Sequence, residues 1–110
     1  MSIFAAALLA LAPATPTVAV VGIGNRSCGA WTAATRTQSI ERREFNGWLM
    51  GFLSAINTTD KYNGIIVATD GFGYAAWVDR YCADHPLDTV YKASVSLINE
   101  LVARENRNEG

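Results

Sequence analysis

The sequence predicts an all-α fold: a small four-helix domain stapled by one disulfide and preceded by a leader that resembles a signal peptide. Three observations carry this reading. After residue 27, apolar residues recur at steps of three and four. The chain has only two cysteines, Cys28 and Cys82. Ahead of them residues 3–12 form an uncharged apolar run, and the first charge is Arg26.

The leader has the length and the small-residue flank of a secretory signal, although Met1-Ser2-Ile3 lacks a basic residue. Cleavage after Ala14 or after Ala19 suits the small-residue rule. The run is too short to span a bilayer, and Pro13 and Pro16 stop its extension, so no stable membrane span is expected once the leader is cut. The chain then divides into a signal peptide over 1–19, a linker over 20–27, a helical domain over 28–104 and a polar tail over 105–110. The expected location is periplasmic or secreted. In that setting two lone cysteines read as one disulfide, Cys28 with Cys82. Closing so long a loop is worth roughly 4 kcal/mol in the chain-entropy picture, comparable with the whole stability of a small domain. The spacing excludes a C-x-x-C redox pair, and one histidine with two cysteines makes a poor zinc set. Neither a metal nor a cofactor is expected.

The elements follow in order. Ser27 is a suitable N-cap for a short helix carrying Cys28, Trp31 and Thr35. The second helix has its apolar stripe at Phe45, Trp48, Leu49, Phe52, Leu53 and Ile56. Gly47, Gly51 and Ala55 form a second line on it, which predicts close approach of another helix or of a ring such as Trp77. Asn57-Thr58-Thr59-Asp60 ends this helix. Residues 58–73 form a long glycine-punctuated loop around Ile65-Ile66-Val67-Ala68. A third helix presents Tyr74, Trp77, Val78, Tyr81 and Cys82 on one face. Pro86 is expected to stop it and to start the last helix, with Leu87, Val90, Tyr91, Ser94, Leu97, Ile98 and Leu101 inward. The expected core is Trp31, Trp48, Gly51, Phe52, Trp77, Tyr81, Pro86 and Leu97.

Net charge is −1, from nine basic and ten acidic residues in mixed order, which argues against nucleic acid as a partner. Arg26, Arg36, Arg42 and Arg43, interrupted by Glu41 and Glu44, read as a solvated helix face. Asp79, Asp84 and Asp88 read as solvated helix ends, and His85 as a surface or capping residue. Val20-Val21-Gly22-Ile23-Gly24, with Gly29, has the wrong glycine spacing for a dinucleotide turn. No nucleophile, base and orienter come together in the sequence, so binding is expected rather than catalysis.

Two stretches carry a resemblance. The first is Phe45-Asn46-Gly47-Trp48-Leu49-Met50-Gly51-Phe52-Leu53-Ser54-Ala55. The second is Trp77-Val78-Asp79-Arg80-Tyr81-Cys82-Ala83-Asp84-His85-Pro86-Leu87-Asp88, which runs on to Ala93, Leu97 and Leu101. Together they resemble the Tai/Rap-type immunity proteins. Those are small exported helical proteins that neutralise cell-wall-cleaving type VI secretion effectors by direct binding. The resemblance implies a protein partner, a cell-wall hydrolase. A weaker resemblance, in size and cysteine placement, is to the HdeA-type periplasmic acid-stress chaperones. An envelope accessory protein without independent activity is a further alternative, and a homodimer is left open. The candidate partner-binding residues are Tyr62, Ile65, Ile66 and Phe72, on the 58–73 loop. The competing expectation is that Ile65 and Val67 cap the open end of the bundle.

Overall fold

Ser27 opens the first helix as its sequence suggests. Its backbone is extended and its hydroxyl accepts from the Ala30 amide at 3.1 Å. The computed structural model describes residues 19–65 and 71–109, and within them the fold is all-α. Helix α1 is Cys28–Thr37, α2 is Ile40–Asn57, α3 is Gly71–Asp84 and α4 is Val90–Glu109. A 3-10 turn, Ile23–Asn25, precedes them. The leader, together with Ile66, Val67 and Ala68, lies outside the described residues.

The helices end for local reasons. Gln38 closes α1 in the left-handed conformation (φ 49°), and its amide turns back to the Ala34 and Thr35 carbonyls. At the end of α2, Asn57 Oδ1 accepts from the Gly64 amide at 3.0 Å. Gly64 has φ 85°, so this turn needs a residue that tolerates the left-handed region. Thr89 caps α4 through its hydroxyl, which accepts from the Lys92 amide at 3.1 Å.

Each helix buries one stripe. Cys28, Trp31 and Ala34 come from α1, and Phe45, Leu49 and Leu53 from α2. Tyr74, Ala75, Val78 and Cys82 come from α3, and Val90, Ala93, Leu97 and Ile98 from α4. Ser94 is also fully buried, its hydroxyl satisfied by the Val90 carbonyl at 2.8 Å. All four helices touch one another. The Cys28–Cys82 disulfide joins the start of α1 to the end of α3, with both residues fully buried. Among the described residues, no helix is long and apolar enough to cross a membrane.

Several expectations are corrected. The stretch expected as a linker over 20–27 is built into the domain. Gly24 is buried, and a Cβ there would overlap Cζ2 and Cε2 of Trp48, so the chain passes the indole only because the residue is glycine. Trp48 Nε1 donates to the Val21 carbonyl at 2.8 Å. Cys28 N donates to the Asp88 carbonyl at 2.7 Å and Val90 N to the Arg26 carbonyl at 2.9 Å, beside an isolated antiparallel bridge of Ser27 with Thr89. These bonds tie the entry to α1 against the entry to α4.

The expected glycine ridge is also different. Gly51 is not in the core: Gly47 and Gly51 are exposed, and a Cβ at either would meet nothing within 4 Å. The ring that approaches glycines is Trp48, and the glycines it meets are Gly22 and, more closely, Gly24. Pro86 is exposed and does not start a helix. Residues 85–88 form a turn and α4 begins at Val90. Leu87, expected inward, is 96 % exposed. The expected tail after 104 is helical through Glu109, where Glu100 pairs with Arg104 at 2.9 Å and with Arg107 at 3.5 Å.

Candidate functional site

Asp79 organises one face of the molecule. It sits on α3, one residue after buried Val78, and accepts from the Trp31 indole at 2.6 Å and from Arg42 Nη1 at 2.8 Å. Arg42 also donates to the Thr35 hydroxyl, and its guanidinium lies 4.9 Å from the centre of the Trp31 ring. One carboxylate, one guanidinium and one indole thus lock α1, α2 and α3 together. The sequence reading placed both Arg42 and Asp79 on solvated faces, and the structure corrects this: their side chains are only 21 % and 34 % exposed. A signal was present, because a buried tryptophan needs a partner for its N–H.

This network forms one end of an open groove of about 550 Å³ between α2 and α3. Met50, Ala75, Ala76 and Phe72 line its apolar part, and Arg42 and Asp79 its polar end. Phe72, in the first turn of α3, is 87 % exposed at this groove. The groove is therefore preformed, polar at one end, and carries a ring that still faces solvent.

The described candidate binding residues, Tyr62, Ile65 and Phe72, differ in exposure. Phe72 is exposed, but on a helix rather than a loop. Tyr62 is half-buried against the core, with the Lys61 ammonium 5.2 Å from its ring centre. Ile65 is 6 % exposed and belongs to the core, while Val67, paired with it in the bundle-capping expectation, lies outside the described residues. Ile66 lies outside the described residues. Of the expected core set, Trp31 and Leu97 are buried, whereas Trp48, Phe52, Trp77 and Tyr81 are partly buried at its edge.

A second polar cluster sits where α3 turns into α4. Tyr81 stacks between Trp77 and His85, at centroid distances of 5.6 and 4.1 Å. The Tyr81 hydroxyl donates to Asp88 Oδ2 at 2.6 Å. This bond, with the Lys92 ammonium 3.7 Å from Asp88 and the nearby His85, holds the Asp88 carboxyl below the usual carboxylate range, although partial desolvation opposes it. The hydrogen bond from Arg104 does the same for Glu100, aided by the charges of Arg104 and Arg107. Both folded pKa values lie below their unfolded values. The stabilisation is therefore complete above the ordinary carboxylate pKa, near about 4, and is lost as pH falls through the folded value. Tyr81→Phe is expected to move the Asp88 titration up toward that ordinary value and to flatten the acid limb of the stability curve below pH ~4. Carboxylate carbon shifts followed by NMR measure the first effect and urea unfolding against pH the second. An unchanged Asp88 titration would show that the phenol does not set it.

Comparison with protein-family models, with curated proteins and with solved structures finds no match to this chain.

Proposed function

We propose that this chain is an exported binding protein of the immunity type, which neutralises a cell-wall hydrolase by docking onto it from the α2–α3 groove. The observation that carries the reading is Phe72, 87 % exposed beside an apolar groove whose two walls are bridged by the Arg42–Asp79 pair. A rigid groove needs little reorganisation on binding, and an exposed aromatic ring is the kind of anchor that gains most when a partner buries it. Arg42 and Asp79 at the polar end would orient a hydrogen-bonding group of the partner.

The test is protection. The chain is co-expressed in the periplasm with an exported cell-wall hydrolase, and cell lysis is measured. Phe72→Asp is expected to abolish protection and to weaken binding about 30-fold or more, as loss of a central aromatic anchor does. Its melting temperature should stay near that of the parent, because the ring is exposed. Full protection by the variant would remove the groove from the interface. Failure of the parent to inhibit any such hydrolase would sink the immunity reading. The acid-chaperone reading draws on Asp88 and Glu100, whose carboxyls lie below the usual carboxylate range, so the stabilisation from their partners is lost as pH falls. Suppression of client aggregation at pH 2 and not at pH 7 would favour it instead.

A further inference from the structure

Helix α3 carries a ladder of rings along one line. Trp77, Tyr81 and His85 follow one another at helical i, i+4 spacing, so each stands beside the next. Their rings are nearly parallel, tilted by 16° and 17°. Tyr81 is covered on both faces, by Trp77 and by His85. The rung before Trp77 on the same line is Gly73, which is exposed and has no side chain. The ladder therefore stops with one face of the indole on Tyr81 and the other turned toward the glycine. A pocket of about 170 Å³ between α3 and α4 lies there, lined by both Gly73 and Trp77.

The geometry points to this pocket as a binding site for an acidic sugar, one pyranose ring laid on the Trp77 indole with its carboxylate on Arg80 and Arg104 and its hydroxyls on Glu100. Size is the first argument. The pocket is well under the roughly 300 Å³ at which sites for drug-sized ligands begin, so it takes about one ring. The platform is the second. An indole face is electron-rich and attracts the partly positive C–H groups that a pyranose presents on its flat side. Leu101 adds an apolar wall.

The third argument is the charge around the ring. Arg80, Glu100 and Arg104 all line the pocket, so guanidinium outnumbers carboxylate. Arg80 is exposed and forms no ion pair among the described residues. Arg104 and Arg107 both take the same oxygen of Glu100, Oε1, and Arg104 does so through Nε. The Nη groups of Arg104 and Oε2 of Glu100 are outside that pairing, and they are a donor pair for a carboxylate and an acceptor for hydroxyls. A hydrocarbon ring in the same place would strip water from three charged groups and return no hydrogen bond, whereas a pyranose returns one at nearly every carbon. The pocket shares no lining residue with the Phe72 groove, and the inference does not rest on the immunity reading.

The test is a titration of the disulfide-bonded protein with glucuronic acid, followed by NMR. The expected result is a saturable shift of the Trp77 indole N–H signal, with a Kd on the order of 1–10 mM, the affinity open to so small a ligand. Glucose, which lacks the carboxylate, and glucuronic acid on Arg80→Gln should each bind about tenfold more weakly. Gly73→Phe puts a fourth ring on the ladder and should abolish binding. It should melt no lower than the parent, since the position is exposed and glycine is a poor helix former. No saturable shift up to about 50 mM glucuronic acid would overturn the proposal. So would an unchanged Kd in Gly73→Phe, or tighter binding of phenylacetate than of glucuronic acid, which would give the pocket to an aromatic ring.

Discussion

Replacing Cys28 and Cys82 together by alanine is expected to lower stability by about 4 kcal/mol, most or all of what a domain of this size has to spare. The bridge closes a sequence separation of 54 residues, and the chain-entropy model assigns that magnitude to the freedom the unfolded chain regains. Native packing adds to the loss, because both residues are fully buried and alanine leaves space where the sulfurs were. The effect should also spread. The Cys28 amide bonds the Asp88 carbonyl and the Gly29 amide bonds the Pro86 carbonyl, so loosening the bridge loosens the α3–α4 turn. Urea unfolding of parent, double variant and dithiothreitol-treated parent measures this. The reduced parent should unfold far below the oxidised one, and the double variant, which also loses the sulfurs' packing, lower still. Coincident midpoints for all three would mean that packing alone holds α1 against α3.

Trp31→Ala is expected to cost about 3–5 kcal/mol, the range for removal of a large buried aromatic. Trp31 is fully buried, its ring lies 5.3 Å from that of Phe45, and its indole N–H is one of two donors to Asp79. Trp31→Phe separates packing from hydrogen bonding. It keeps a ring in the core but leaves Asp79 with Arg42 alone, and should cost about 1–3 kcal/mol. Thermal and urea unfolding of the two variants give the comparison. Equal losses would assign the whole effect to the hydrogen bond, and a negligible loss in Trp31→Phe would assign it to packing.

The helices were legible because burial writes its period into the sequence. Phe45, Leu49 and Leu53 recur every four residues and are the buried face of α2. Ser27 could be read as a cap because a short side-chain oxygen has one favourable use there. The two cysteines could be paired because no other partner exists in the chain. What stayed hidden depends on what lies opposite a residue. Gly24 and Gly51 are the same residue type, yet one lies against an indole and the other looks onto open space. Proline suits both a first helical turn and a bend, and at Pro86 the bend prevails, with Leu87 left in water and Thr89 taking the cap. Arg42 and Asp79 read as ordinary surface charges because nothing local marks the indole between them. The groove was invisible for the same reason, since its walls come from two helices separated by residues 58–70, and only Phe72 of its lining was named in advance as a binding residue.

The disulfide has a topological consequence. It makes residues 28–82 a covalent ring that contains α1, α2 and α3, with the turn after α2 on its circumference. The two segments that leave the ring are then joined without covalent bonds, where Arg26 and Ser27 meet Thr89 and Val90. A protease that cuts once in the exposed turn near Thr59 and Asp60 opens the ring but releases no fragment. The nicked molecule stays in one piece, two chains held by Cys28 and Cys82, and both walls of the Phe72 groove remain tethered to each other. A groove mounted across such a ring outlasts the integrity of the chain that carries it.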